Sequence, residues 1–188
     1  MCKVTWLLLF TLITLSTTAQ GVFSNKTNAA LKMVIEDYPN HFSNIKGDRI
    51  SSAELASDYK SKVVIPGSVN CTLTQYNKDA AYNWKCELFT SADFEKAKSK
   101  FSDLYNEIHN TIIKVEGEKP VILNGQFELP EKDKHQTNIF FHFLPAAGII
   151  KKLNVELEMI LDNGIWKITL QVYDEKDHEL PANMKSQA

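Results

Sequence analysis

Val69-Asn-Cys-Thr-Leu-Thr-Gln-Tyr76 and Ala81-Tyr-Asn-Trp-Lys-Cys-Glu-Leu-Phe89, divided by Asn77-Lys-Asp-Ala80, decide how the rest of the chain reads. Both segments alternate apolar and polar residues with a period of two, the mark of strands with one buried face. With a turn symmetric about its centre, Cys71 faces Cys86, Leu73 faces Trp84, Val69 faces Leu88 and Gln75 faces Tyr82. The alternate set opposes Asn70, Thr72 and Thr74 to Glu87, Lys85 and Asn83. A slip of one residue would mix the two faces, so the pattern specifies the register. Both cysteines fall on the apolar side in that register. Opposed side chains on antiparallel strands bring Cβ atoms close to disulfide separation, so a Cys71–Cys86 bond is expected. On the chain-entropy account, closing a loop of this length contributes about 3 kcal/mol. There is no Cys-x-x-Cys spacing and no cationic flank dedicated to a thiolate, so catalytic cysteine chemistry is not expected.

A second hairpin stands near the end of the chain. Leu153–Leu161 and Trp166–Tyr173 flank Asp162-Asn-Gly-Ile165, and Asn-Gly is the preferred centre of a type I′ turn. The register pairs Leu161 with Trp166, Met159 with Ile168, Leu157 with Leu170 and Val155 with Val172. The outer pairs are Ile160–Lys167, Glu158–Thr169, Glu156–Gln171 and Asn154–Tyr173. Between the hairpins, Thr90-Ser-Ala-Asp93 resembles a capping box. Phe94, Ala97, Phe101, Leu104, Ile108 and Ile112 then step by three or four residues as one helical stripe.

The remaining elements follow from the same periods. Val121, Leu123, Gly125, Phe127 and Leu129 share one face of a strand closed by Pro130, and Ile139–Leu144 is apolar on both faces. Upstream, Thr27 or Asn28 caps a first helix carrying Leu31, Val34, Ile35 and Tyr38, which Pro39 ends. Lys62–Ile65 reads as a strand leading into a type II turn at Pro66-Gly67, and 48–60 has no clear period. The expected fold is α+β, an antiparallel sheet of six to seven strands with two main helices packed on one face, in the order α-βββ-α-ββββ. It occupies one domain, 27–174, between a flexible stretch at 20–26 and a loose tail at 175–188. No internal repeat is visible in the sequence.

The N-terminus reads as a cleaved signal peptide, 1–19. Lys3 precedes an apolar run of about nine residues, Leu7–Leu15, and Thr17 and Ala19 occupy the positions a signal peptidase reads. The run is too short to span a bilayer core, which takes about 20 apolar residues. An exported protein, periplasmic or extracellular, is the setting in which two lone cysteines form a disulfide. Removing Lys3 leaves 20 basic against 23 acidic residues, a net charge of −3, and Arg49 is the only arginine. That balance offers little to nucleic acid or anionic membranes, so neither nucleic-acid binding nor stable membrane insertion is expected.

Candidate chemistry is sparse. The histidines at 41, 109, 135, 142 and 178 show no metal-ligand spacing, and no metal or cofactor is expected. His142 stands apart, placed between Phe140 and Leu144 on the second face of an apolar strand, where it lines a pocket or is covered. Glu156 and Glu158 share a strand face near Thr169, Gln171 and Tyr173, a spacing that in principle divides acid and base work in glycoside hydrolysis. The alternation around them favours a solvated face instead. The ligand-binding candidates are therefore His142, Glu156, Glu158 and Tyr173, with no catalytic set. The function expected is an exported, non-enzymatic binding module for a protein or small ligand. The alternative is a small exported hydrolase or ligand carrier using the same residues.

Overall fold

The structure, a computed structural model, describes residues 26–78, 81–146 and 148–174. The expected leader, the stretch up to residue 25 and the tail from 175 lie outside the described residues. The chain runs α1 (Lys26–Glu36), a 3-10 turn at Tyr38–Asn40, β1 (Lys46–Ser52), β2 (Ala56–Ser61), β3 (Asn70–Tyr76) and β4 (Tyr82–Ser91). Then follow α2 (Phe94–Ile108), β5 (Ile112–Ile113), β6 (Val121–Gly125), β7 (Gln136–Leu144), β8 (Leu153–Asp162) and β9 (Ile165–Asp174). The class is α+β, as expected. The strands form one antiparallel sheet in the order β1-β2-β3-β4-β9-β8-β7-β6-β5.

Nine strands are present among the described residues, not six to seven. The largest gain is the β1–β2 hairpin, where the sequence shows no period. Its outer strand is almost wholly exposed, so it has no apolar alternation to betray it. Contacts on Tyr59 support it instead. Lys46 Nζ and the Arg49 guanidinium sit 4.7 and 5.6 Å from the Tyr59 ring centre. Lys62–Ile65 is not a strand, because Ser61 ends the ladder. Its hydroxyl donates to the Val63 carbonyl (2.7 Å) and accepts from the Val63 amide (3.1 Å) and Trp84 Nε1 (2.9 Å). That uses the full capacity of one hydroxyl and turns the chain.

Both hairpin registers are those the alternation specifies. Cys71 pairs with Cys86 and Leu73 with Trp84, and the two cysteine Cα atoms lie 4.0 Å apart at disulfide distance. Leu153–Asp174 closes on the Asn163-Gly164 turn, where both residues have positive φ as a type I′ turn requires. Val69 is the exception. It stops short of the ladder and is 62 % exposed. Helix α2 buries Phe94, Ala97, Phe101, Leu104 and Ile108, with Asp93 as its N-cap accepting from the amides of Glu95 and Lys96. Ile112 leaves the stripe and enters β5, and Thr27 and Asn28 lie inside α1 rather than capping it.

The expected strand through Leu129 stops at Gly125. There the Tyr105 hydroxyl donates to the Gly125 carbonyl (2.9 Å), and Phe127 packs on the Tyr105 ring with centroids 4.9 Å apart. A Cβ on Gly125 would stand 2.8 Å from Phe141 Cδ1 and 3.0 Å from the Phe140 carbonyl oxygen, so only glycine fits this crossing. β7 is buried on one face only: Phe141 and Phe143 point into the core, while Phe140, His142 and Leu144 are exposed.

Leu31, Val34 and Ile35 of α1 and the α2 stripe join the same buried cluster as Trp84, Cys86, Leu157, Leu170 and Val172. α2 contacts β4, β8 and β9, and α1 contacts α2 and β5. The strand order also reveals a repeated plan that the sequence hides. A helix followed by an antiparallel meander occurs twice, and the last strand of each meander, β4 and β9, meet at the centre. No helix among the described residues is long and apolar enough to cross a membrane.

Trp84 is fully buried and its indole N–H is satisfied by Ser61, so truncation removes both packing and a core bond. Trp84→Ala is expected to lose roughly 3–5 kcal/mol of unfolding free energy. Urea denaturation followed by circular dichroism measures it; an unchanged midpoint would contradict this packing.

Candidate functional site

Residues that point away from the core form rows across the sheet. One row runs Phe140, Glu156, Gln171, Lys85, Thr72 and Lys60, from β7 through to β2. Its neighbours on either side include Asn138, Glu158 and Thr169, and Asn154, Tyr173 and Asn83. The strand pleat alone places these side chains together, at strand spacings of about 4.8 Å. Glu156 and Tyr173, two of the expected candidates, are therefore side by side on one face.

Their environment differs from the solvated face that the alternation suggests. Glu156 is 6 % exposed and Tyr173 4 % exposed. The Tyr173 hydroxyl donates to Glu156 Oε2 (3.1 Å), and Asn138 Nδ2 donates to Glu156 Oε1. Glu156 thus ties β7 to β9 across its own strand. Glu158 is less buried and accepts from Gln136 Nε2 (2.8 Å) and the Thr169 hydroxyl (3.2 Å). Both carboxylates are engaged in cross-strand hydrogen bonds. Period-two alternation could not show this, because it separates faces without reporting how tightly long polar side chains cover one another.

His142 lies beyond the Glu156 network, exposed and paired across the ladder with Asn124 of β6. It does not join Glu156 or Tyr173. It lines an open depression of about 630 Å³ over β6 and β7, together with Asn124, Gln126, Glu128, Asn138 and Phe140. The side chains of Asn124, Gln126, Glu128, Phe140 and His142 are exposed, so the depression is a groove on the surface rather than an enclosed cavity. Glu128 is held 3.6 Å from Lys134 Nζ. Among the described residues, no three His, Cys, Asp or Glu side chains gather as a metal site requires.

A second cluster escaped the sequence patterns. Tyr38 donates a hydrogen bond to Asp174, and burial followed by that bond pushes its phenol well above the usual tyrosine range. Tyr82 is also raised, by burial first and then by Tyr59 and Asp174. Next to Tyr38 in the chain, the buried Asp37 carboxylate accepts from the amides of Asn44 (3.0 Å) and Ile45 (3.1 Å) and from the side-chain amides of Asn40 and Asn44. This clamp holds His41 and Phe42 at positive φ (53° and 54°), so that Phe42 packs edge-on against Tyr82 with centroids 5.7 Å apart. No local motif marks it, since its donors lie up to eight residues away.

Glu156→Ala leaves the Asn138 and Tyr173 donors without their acceptor and is expected to cost about 1–3 kcal/mol. Glu158→Ala, at a wetter position, should cost less, and paired urea titrations test the order. A phenol raised in the folded state stabilises fully below the ordinary tyrosine value of about 10 and less as pH rises through the folded value. Stability should therefore decline above about pH 10, and Tyr38→Phe should flatten that decline. An unchanged alkaline slope in the variant would remove Tyr38 as a cause. Comparison of the chain with family models, with curated proteins and with solved structures returns no match.

Proposed function

We propose that the chain is an exported, non-enzymatic binding module, a single domain stapled at Cys71–Cys86. It meets its partner, a protein or small ligand, on the outward sheet face around Phe140 and His142. The observation that carries this reading is the exposure of large apolar side chains within a polar face. Phe140 is 40 % and Leu144 51 % exposed on β7, beside the open depression at His142. Leu144 also lies opposite exposed Ile122 of β6, which pairs with exposed Ile112 of β5, and contiguous exposed apolar side chains are a usual mark of an interaction site. This reading places α1 and α2 together on the opposite, apolar face, which their shared core residues support. Export, to the periplasm or beyond the cell, rests on the leader at 1–19 and on a cysteine pair suited to an oxidising compartment.

A partner adding a strand to a sheet edge has less support. At one edge β5 is only two residues long, and the β6 backbone beyond it is already engaged: the Leu123 amide and carbonyl are bonded to Thr111 and Asn110, and Gly125 to Tyr105. At the other edge, β1 carries two register shifts, the irregularity that blunts edge pairing. Hydrolysis by Glu156 and Glu158 is also less supported, because both carboxylates hold strands together and neither lines the depression. Nucleic acid is a poor partner, since the single arginine, Arg49, stacks on Tyr59 at the far edge.

In the cells that make this protein, the product should begin at Gln20 and show no free thiol when unfolded under alkylating conditions. A benzophenone side chain at Gln126 should give a photo-adduct, whereas the same group at Ser99 on the back of α2 should not. Equal labelling from both positions, or none from Gln126, would overturn the binding-face reading.

A further inference from the structure

Building on that binding-face reading, we infer that the depression over β6 and β7 is a saccharide subsite for a neutral chain of pyranoses rich in equatorial hydroxyls. The chemistry of its lining leads to this ligand class. Asn124, Gln126 and Asn138 bring three carboxamides to one groove, beside the Phe140 ring. Each carboxamide presents a donor and an acceptor side by side, which matches the paired donor and acceptor of vicinal hydroxyls. An exposed aromatic ring offers a flat apolar surface to the C–H face of a pyranose, through dispersion over many atoms. A few directed polar groups around an apolar platform is the usual composition of a small-ligand site, and about 630 Å³ is a volume suited to one.

Charge narrows the class further. The one carboxylate in the lining, Glu128, lies 3.6 Å from Lys134 Nζ, which Glu131 holds more closely (3.1 Å), and no lysine or arginine lines the groove. An anionic ligand finds no lysine or arginine in the lining, and a cationic one finds a single exposed carboxylate with Lys134 beside it. An extended peptide lacks a ladder to join, since the β6 backbone is bonded to 110–111 and to Tyr105. The groove is also organised before any ligand arrives. Asn124 and His142 sit opposite each other in a formed ladder, and Phe140 opposite Glu156. Glu156 accepts from Asn138 Nδ2 and is held in turn by Tyr173, which fixes the way the Asn138 amide faces. Glu156 and Tyr173 are thus positioning residues for a site they do not touch. Pre-ordering of this kind reduces the entropy lost on binding.

The test is calorimetric titration and amide chemical-shift mapping of the mature chain with cellohexaose, xylohexaose and maltohexaose. At least one should bind, with shifts concentrated at 124–128 and 138–142 and a dissociation constant that changes less than twofold between low and high NaCl. Phe140→Ala and Asn124→Ala should each weaken binding tenfold or more. Glu156→Gln should weaken it several-fold without altering the fold by circular dichroism, and Ile50→Ala at the opposite edge should leave it unchanged. No binding of any hexasaccharide, or binding insensitive to Phe140→Ala, would overturn the saccharide inference. If a Gln126 photo-adduct to a protein still forms in that case, the binding-face reading survives. If neither sugar nor adduct is seen, both fall together.

Discussion

The pairing of β4 with β9 is the constraint on which the rest of this molecule depends. Each of these strands ends a meander, and their ladder from Asn83–Tyr173 to Ser91–Trp166 is what joins the two meanders into one sheet. It also sets the core. Trp84 lies opposite Val172, and Cys86 opposite Leu170, so the most buried residues of both halves meet on one face of this seam. The register shifts once, between Glu87 and Phe89, and the ladder resumes beyond it. Bulges of this type add local twist. α2 starts directly after β4 and contacts both seam strands, so the helix is placed by the same pairing.

The seam also creates the outward rows. Once β4, β9, β8 and β7 are in register, Lys85, Gln171, Glu156 and Phe140 have no choice but to line up, because the pleat alternates side chains strictly. Glu156 becomes buried in that row without any burial signal in its own strand. A polar side chain on a sheet face is covered by its cross-strand neighbours, and Asn138 and Tyr173 come from strands separated from β8 by turns and, for β7, by a loop. The hydrogen bonds they make convert a pair of acids that resembles acid–base machinery into a brace between strands.

The clamp at Asp37 shows the same logic on a smaller scale. Its carboxylate binds amides from a turn that alternation cannot describe, and in doing so it seats Phe42 and Tyr38 against β4 and β9. Burial of Tyr38 beside Asp174 follows from that seating. The residues are ordinary, and only their convergence makes them a cluster.

What could be read from the chain itself was whatever rests on neighbours in sequence. The β3–β4 and β8–β9 registers, the Cys71–Cys86 juxtaposition, the Asn163-Gly164 turn and the α2 stripe were all legible, because a tight turn and a strict period leave one pairing that separates apolar from polar. The candidates His142, Glu156, Glu158 and Tyr173 were legible as polar residues on strands, but not their division into an exposed groove and a buried brace. The exposed β1–β2 hairpin, the halt of β6 at Gly125 and the strand order were likewise invisible. They depend on a tyrosine hydroxyl, cations stacked over a ring, and contacts between segments far apart in the chain. Local alternation determines which face of a strand is apolar; only the tertiary structure decides which strand lies beside it, because that choice is made by side chains packing across the sheet rather than along it.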